Sequence, residues 1–183
     1  MTTALLLIDI QNDYFAGGRM VLVGPDAAAR QAAILVDRFR STGRPVVHVR
    51  HVALRPDATF FLPDTDGVAI HRLVEPLAGE KVIEKHQPNS FLETGLEAHL
   101  GSIGATSLVI AGMMTHMCVD STTRAASERG LDCVVVSDAC ATKDLTFAGV
   151  SVEAGSVHAA FLAALDGSFA TVQSTADTLE HLA

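Results

Sequence analysis

Short apolar runs alternate along the chain with segments whose apolar residues recur at helical spacing. The first run, from Ala4 to Ile10, is nearly continuous, which is typical of a parallel strand covered on both faces. The segment after Pro25 places alanine, valine and phenylalanine at helical spacing and ends at a helix stop signal, Gly43. This opening predicts a strand, a loop and a crossover helix.

The same alternation continues to the end of the chain. Strands are predicted for the segments PVVHVRHV, EKVIEK, SLVIA, DCVVVSD and ATVQS, and helices for LEAHL, the segment that ends in SERG, VEAGSVHAAFLAAL and ADTLEHL. No repeat, low-complexity tract or linker interrupts this order. The pattern predicts one α/β domain over residues 1–183, with a mostly parallel six-stranded sheet between two layers of helices.

Composition and charge narrow the range of partners. Of the 183 residues, 49% are hydrophobic and 19% charged, so the chain has ample apolar surface to bury. A net charge of -8 argues against a nucleic-acid partner, which would need a basic face. The first apolar run is too short to span a membrane and lacks a basic leader, so no membrane association is expected and the cytoplasm is the predicted compartment. The chain has an odd number of cysteines, and their spacing does not suggest disulfide pairs. Free thiols are therefore predicted for Cys118, Cys133 and Cys140.

Three chemically potent side chains fall where predicted strands end: Asp9 after the first, Lys85 after the third and Cys118 after the fourth. Parallel strands end at one edge of a sheet, so their loops are expected to open together. Taken singly, an aspartate such as Asp9 is more often a turn residue, a lysine such as Lys85 is more often exposed to solvent, and a cysteine such as Cys118 is more often a buried apolar residue. Together they suit a nucleophile, a base and an electrostatic stabiliser. A position in the first turn of a helix is expected to lower the pKa of the Cys118 thiol below about 8.5.

Three segments carry a specific resemblance. LLLIDIQNDYF, VIEKHQPNSF and GMMTHMCVDSTTRAA resemble, in this order, the signatures of the isochorismatase-like cysteine hydrolases, which include nicotinamidases, N-carbamoylsarcosine amidases and streptothricin hydrolases. The resemblance implies that Asp9, Lys85 and Cys118 form a catalytic triad and that the strand order is 3-2-1-4-5-6. It also implies a cis peptide bond between Met113 and Met114, with the N–H groups of Met114 and Cys118 forming an oxyanion hole.

The resemblance further implies hydrolysis through a thioester on Cys118. Family members that cleave a vinyl ether typically lack this cysteine, so its presence favours a C–N bond in an amide, lactam or ureido group. Vinyl-ether cleavage stays an alternative, as does a non-catalytic binding protein on the same fold. A redox protein that pairs Cys118 with Cys133 or Cys140 is less supported, because no C-x-x-C pair exists.

No cofactor and no catalytic metal are expected. Many nicotinamidases hold a metal with an Asp-x-His pair near the second strand, but in VVHVRHV the acid position is Val49, with His51 in the histidine place. An aliphatic side chain cannot coordinate a cation. A metal site built from His48, His51 and His71 is the alternative, although histidines without a matched spacing more often satisfy polar contacts.

Three further histidines lie near or between the motifs. His116 is a rival base two residues before Cys118, but an orienting or interface role is favoured because adjacent loop side chains point in different directions. His86, next to Lys85, is expected to be a wall or surface residue. His158, in an apolar helix, is expected to be a hydrogen-bonded core residue.

Residues in the loops after the first two strands are expected to line the substrate pocket. These are Phe15, which is favoured most, and Phe60, Phe61 and Leu62, whereas packing or a subunit contact is the competing interpretation for them and for Tyr14. The predicted ligand is a small amide-like molecule. The apolar VHAAFLAAL helix suits a homo-oligomer, a dimer or tetramer, although the same residues also suit a core.

Overall fold

The computed structural model describes residues 2–182. Eight strands form within them: β1 (Thr2–Ile8), β2 (Val46–His51), β3 (Lys81–Lys85), β4 (Ala105–Met113), β5 (Asp132–Ala141), β6 (Leu145–Phe147), β7 (Val150–Val152) and β8 (Thr171–Gln173). The α-helices of this part of the chain are α1 (Pro25–Ser41), α2 (Leu96–Ser102), α3 (Asp120–Ser127), α4 (Ala154–Leu165) and α5 (Thr175–His181). Every strand and helix predicted from the sequence is present. No helix in this range is long and apolar enough to cross a membrane.

Six strands form one parallel sheet in the order β3-β2-β1-β4-β5-β8. This confirms the expected order 3-2-1-4-5-6, with β8 as the sixth strand. Residues of α1 belong to the apolar core on one face of the sheet, and residues of α2, α3 and α4 belong to the core on the other. The predicted three-layer α/β architecture is therefore confirmed.

The central strand explains why its sequence is almost continuously apolar. Leu5 and Leu7 of β1 point into the core that contains α1, whereas Ala4, Leu6 and Ile8 point into the opposite core. Each is at most 2% exposed. Burial of such a leucine or isoleucine contributes about 1.5–3 kcal/mol, so both faces of β1 stabilise the sheet.

The two short strands β6 and β7 were not predicted from the sequence. β6 and β7 pair antiparallel in a hairpin that turns at Ala148 and Gly149, both with positive φ. Phe147 is 85% exposed and Val150 is 65% exposed. A three-residue strand without a buried face has no alternating pattern to reveal it.

The long connection between β2 and β3 is only partly the surface excursion that its sequence predicts. It contains two 3-10 turns, Asp66–Val68 and Arg72–Val74, and an isolated bridge joins its Ile70 to Gln11 in the loop after β1. Phe61 in this connection is buried. The connection therefore packs over the carboxyl end of β1, where Asp9 lies.

Candidate active site

The structure brings the three strand-end residues into one buried cluster. The Lys85 Nζ lies 2.8 Å from Asp9 Oδ2 and donates to Cys118 Sγ at 3.2 Å. Asp9 is 0% exposed, Lys85 1% and Cys118 6%. An ammonium, a carboxylate and a sulfur thus share a space closed to bulk water, where their mutual interactions are stronger than at a surface.

The backbone around Asp9 aims its carboxylate at this cluster. Asp9 leaves β1 in a left-handed conformation with φ 51°, which aspartate adopts more readily than most residues. Its N–H donates to the Val49 carbonyl at 3.0 Å, and its carbonyl accepts the Gln11 N–H at 3.0 Å. On the adjacent strand a Cβ at Gly112 would fall 2.1 Å from the Ile8 oxygen. Only glycine permits β1 and β4 to approach so closely just before the segments that carry Asp9 and Cys118.

Cys118 lies in a π-helical turn, Thr115–Val119, that continues directly into α3. Turns of this kind are frequently found at functional sites. The Met113–Met114 peptide bond in front of it is cis, as the resemblance implies. Within residues 2–182 the Met114 N–H donates to no acceptor. A backbone donor at the entrance of the turn is therefore available for a ligand.

The negative groups of the cluster stabilise the charged form of Lys85. Burial alone lowers the pKa of Lys85, but the Asp9 and Cys118 groups outweigh it and raise that pKa above its usual value. Both carboxylate oxygens of Asp9 are buried and accept no hydrogen bond within the described chain, although Oδ2 lies 2.8 Å from the Lys85 ammonium as an ion pair. A carboxylate oxygen without a donor is costly in such surroundings, and a thiol proton is the donor that would satisfy it.

The expectation that helix geometry lowers the pKa of Cys118 is wrong. Burial raises the pKa of the thiol well above its usual range, the Asp9 carboxylate raises it further, and Lys85 only partly opposes the rise. The dipole effect of a helix end is worth about 0.3–1 kcal/mol, which is smaller than the cost of a buried negative sulfur. Cys118 is therefore a neutral thiol in the unliganded protein.

His51 joins the same cluster, although the sequence suggested it only as an alternative metal ligand. Its Nδ1 lies 3.3 Å from Lys85 Nζ, and β2 and β3 pair so that His51 stands directly beside Lys85. Burial, then the Lys85 charge, lower the pKa of His51 to about 4. The imidazole is thus neutral at neutral pH, and it stands beside the ammonium as a hydrogen-bond acceptor.

Three residues of the cluster carry donor atoms that could bind a metal ion, but the Lys85 ammonium lies among those atoms. Ligand atoms of Asp9, His51 and Cys118 lie within 4.8 Å of one another, and Lys85 Nζ is at most 3.3 Å from each residue. A cation among these donors would have to displace the ammonium. The three histidines considered from the sequence do not form a group in residues 2–182: the His48 Nε2 contacts Glu80 at 3.0 Å, and His71 stacks on Phe15.

The four residues expected to line a substrate pocket fall into two places. Phe61 is buried with its ring 5.9 Å from that of His51, and Phe60 packs on Phe61 at 4.9 Å. Leu62 follows them and is half-buried. Phe15 instead stacks on the His71 ring at 3.8 Å and lines a cavity of about 660 Å³ that none of Asp9, Lys85 and Cys118 lines. Phe15 therefore lies at this cavity, whereas Phe61 lies beside His51 of the cluster.

Two buried polar residues beside the cluster, Gln11 and Asp13, were missed in the sequence, whereas Tyr14 was already considered there. The Gln11 side chain accepts the His51 N–H at 2.7 Å and donates to the His51 carbonyl at 2.9 Å. The Asp13 carboxylate accepts the N–H of Phe61. Burial, then the charges of Cys118 and Asp9, raise the pKa of Tyr14, whose ring packs edge-on against Phe61 at 4.7 Å. The signal was present, because these residues follow Asp9 in QNDY, but polar residues there also suit a plain loop.

The remaining histidines do not contact the sulfur. His116 contacts the Thr142 hydroxyl, which agrees with an orienting role better than with that of a base. The His86 Nδ1 contacts the Val52 carbonyl at 2.8 Å, and His86 is exposed. His158 contacts the Thr115 hydroxyl at 2.9 Å, so it supports the π-helical turn.

Residues 3–177 match the isochorismatase domain, and the chain therefore belongs to the isochorismatase family of hydrolases. It is 54% identical over 175 residues to the isochorismatase family protein YddQ of Bacillus subtilis, covering 96% of this chain and 97% of that one. A crystal structure of an isochorismatase hydrolase from Oleispira antarctica has a TM-score of 0.95 at 51% identity, over 98% and 96% of the two chains. The N-carbamoylsarcosine amidase of Thermoplasma acidophilum has a TM-score of 0.81 at 25% identity, over 96% and 97%.

Proposed function

We propose that this protein is a cysteine hydrolase that cleaves a C–N bond of a small amide, lactam or ureido compound through a thioester. The observation that carries the proposal is the Lys85 ammonium, which contacts both the Asp9 carboxylate at 2.8 Å and the Cys118 sulfur at 3.2 Å. Asp9 is the base, Cys118 the nucleophile and Lys85 the fixed positive charge. One domain over residues 1–183 carries the site.

In the first step the neutral thiol attacks. Because burial keeps the pKa of Cys118 high, proton loss and S–C bond formation occur together. Asp9 Oδ1, which lacks a donor, takes the thiol proton as the sulfur bonds to the carbonyl carbon and the C=O electron pair moves to oxygen. The N–H groups of Met114 and Cys118 receive this oxyanion, and each such donor is worth about 3 kcal/mol in comparable sites.

In the second step the intermediate collapses and the C–N bond breaks. The protonated Asp9 gives its proton to the departing nitrogen, so that ammonia or an amine leaves and a thioester remains on Cys118. A water molecule then gives a proton to Asp9 and attacks the thioester carbon. Collapse of that intermediate releases the carboxylic acid, and the sulfur recovers its proton from Asp9. Lys85 offsets the negative charge that moves between carboxylate, sulfur and oxygen throughout.

Two observations favour an amide-type substrate over a vinyl ether. The first is the thiol itself, since vinyl-ether hydrolysis needs no acyl acceptor. The second is the likeness to an N-carbamoylsarcosine amidase, which covers 96% of this chain. Phe61, Phe60 and Leu62 supply the apolar side of the substrate site, and Phe15 belongs to it only if the cavity beside His71 joins the cluster when a ligand is bound.

The decisive experiment is a panel of small amides, lactams and ureido acids assayed for ammonia or amine release. Cys118→Ala is expected to lower turnover by more than about a thousandfold with an unchanged melting temperature. Cys133→Ala is the matched control, because Cys133 is also buried but outside the cluster. A Cys118→Ala protein that keeps most of its activity overturns the proposal, and binding without turnover by the wild type supports a binding protein instead.

We further propose a homo-oligomer. α4 exposes Ala159, Ala160, Ala163 and Ala164 and has no residue of fixed charge, and the hairpin exposes Phe147. Exposed apolar residues of this kind are typical of a surface that another subunit covers. Light scattering is expected to give a multiple of 19.2 kDa for the wild type and a lower mass for the Phe147→Lys/Ala160→Lys variant. A wild type that is monomeric at every concentration would contradict this.

A further inference from the structure

The Asp9 carboxylate lies in the reactive cluster without a hydrogen-bond donor from the chain. Both of its oxygens are buried and accept no hydrogen bond from residues 2–182. The three N–H groups of the Lys85 ammonium match three other acceptors, which are the Gln87 carbonyl at 3.0 Å, Cys118 Sγ at 3.2 Å and His51 Nδ1 at 3.3 Å. The contact of 2.8 Å between Lys85 Nζ and Asp9 Oδ2 is therefore an ion pair without a directed hydrogen bond.

The backbone of Asp9 fixes the position of this carboxylate. The Asp9 N–H donates to the Val49 carbonyl, and the Asp9 carbonyl accepts the Gln11 N–H, both at 3.0 Å. The Asp9 side chain is 0% exposed, so bulk water does not reach it. A carboxylate has room for about four hydrogen bonds, and a buried oxygen without one is costly. The two oxygens are thus acceptors that suit groups arriving with the reaction.

Only one of the two oxygens has a donor in the proposed mechanism. The Cys118 thiol carries a single hydrogen, and the oxygen that takes it acts as the base. The thiol cannot serve the second oxygen at the same time, and no other group in residues 2–182 donates to it. The substrate can supply this second donor. Its scissile nitrogen must lie beside Asp9, because Asp9 returns its proton to that nitrogen when the C–N bond breaks.

We infer that the second Asp9 oxygen accepts an N–H of the scissile nitrogen, which restricts the substrates to amides, lactams and ureido compounds that keep a hydrogen on that nitrogen. The inference rests on the proposed function for the roles of Asp9 and Cys118. N,N-disubstituted amides and N-alkyl lactams leave a buried carboxylate oxygen unpaired and put a carbon against it. A site that is built to bind an N–H rejects an analogue without it by about ten-thousandfold or more, whereas one extra methylene in an apolar pocket costs only about 10–200-fold.

The kinetic test methylates the scissile nitrogen of the amide that the panel shows to be turned over fastest. The primary, N-methyl and N,N-dimethyl amides of one acid are compared by kcat/KM, and a lactam and its N-methyl derivative form a second pair. The first methylation of the amide keeps one N–H and is expected to cost no more than about 200-fold. Loss of the last N–H is expected to cost about ten-thousandfold. A loss of less than about tenfold at this step in both pairs overturns the inference.

A binding measurement separates recognition of the N–H from the chemical steps. Cys118→Ala protein lacks the nucleophile but keeps the Asp9 carboxylate, and calorimetry gives its Kd for the primary amide and for the N,N-dimethyl amide. The dimethyl compound is expected to bind at least about a hundredfold more weakly. In Cys118→Ala/Asp9→Asn an amide that presents either a donor or an acceptor replaces the charged acceptor, and the ratio is expected to fall below about tenfold. Equal affinities for Cys118→Ala overturn the inference.

The outcomes separate this inference from the proposed function. If no amide, lactam or ureido compound is turned over, the proposed function fails and the inference falls with it. If compounds with and without the N–H are turned over at similar kcat/KM, the inference fails and the proposed function stands. Turnover confined to compounds with an N–H, together with a binding preference that Asp9→Asn removes, supports both.

Discussion

The Asp13 carboxylate accepts the backbone N–H of Phe61 at 2.6 Å, and it thereby joins the loop after β1 to the long connection between β2 and β3. Phe61 has a φ of 55°, a left-handed conformation that is uncommon for an aromatic residue. The same carboxylate accepts the Arg19 N–H at 3.1 Å. This single buried side chain therefore holds Phe61 against His51 and the reactive cluster.

Replacement of this anchor is expected to destabilise the protein. Asp13→Ala leaves two backbone N–H groups without their charged acceptor, and we expect the free energy of unfolding to fall by about 2–4 kcal/mol. Asp37→Ala on the exposed side of α1 is the control and is expected to stay within about 0.5 kcal/mol of the wild type. Urea unfolding followed by circular dichroism measures both. Equal effects of the two substitutions would show that Asp13 is not an anchor.

The close approach of β1 and β4 predicts an intolerant glycine. Gly112→Ala places a Cβ against the Ile8 carbonyl at a φ of 146°, which L-residues rarely adopt. We expect a loss of at least about 3 kcal/mol or failure to fold. Gly155→Ala in α4 meets no atom within 4 Å and is expected to be neutral or slightly stabilising. Melting temperatures of the two variants decide this, and a stable Gly112→Ala protein contradicts the strand geometry.

The buried ion pair predicts a compensating double substitution. Lys85→Met leaves the Asp9 carboxylate uncompensated, and loss of one partner of a buried pair costs about 3–5 kcal/mol. In Asp9→Asn/Lys85→Met no charge remains to be paired, and asparagine tolerates the left-handed backbone of Asp9. We expect the double variant to recover at least half of the lost free energy of unfolding. A double variant no more stable than Lys85→Met would argue against direct coupling of the pair.

The buried imidazoles predict that stability falls in mild acid. The pKa of His51 is lowered from 6.5 to about 4 by burial and by Lys85, and that of His48 is lowered mainly by burial. Between the folded and unfolded pKa values the unfolded chain binds more protons, so this stability is complete above about pH 6.5 and is lost as the pH falls toward 4. Urea midpoints measured across this range are expected to decline less steeply for His51→Leu than for the wild type. If the urea midpoints of the two proteins declined in parallel with pH, His51 would be excluded as a source of the lost stability.

A second acid transition is expected at lower pH. The pKa of Glu80 is lowered to about 2 despite its burial, because Arg40, the Leu77 N–H and His48 bind the carboxylate. Since the folded pKa lies below the unfolded value, this stability is present above about pH 4.5 and is lost as the pH falls toward 2. Glu80→Gln is expected to flatten the dependence of stability on pH mainly between about pH 4.5 and 2, with a smaller change at higher pH through its contact with His48. An effect confined to pH above 5 would contradict the assignment.

Much of the fold was predictable because its signals are local. β1 reads as a strand from its apolar run alone, and α1 reads as a helix from its period and its stop at Gly43. The hairpin of β6 and β7 was missed because neither strand buries a face. Asp9, Lys85 and Cys118 were predictable as neighbours, since parallel strands end at one edge. The resemblance of their three motifs strengthened that prediction.

What the sequence by itself determined is therefore the order of the elements and the kinds of reactive group that follow them. Only the tertiary structure decided that Cys118 is a neutral thiol, that His51 stands beside Lys85, and that Phe15 faces another cavity. The reason is physical. Apolar periodicity acts between residues close in the chain, whereas the protonation of a thiol depends on burial and on charges that distant segments bring to it.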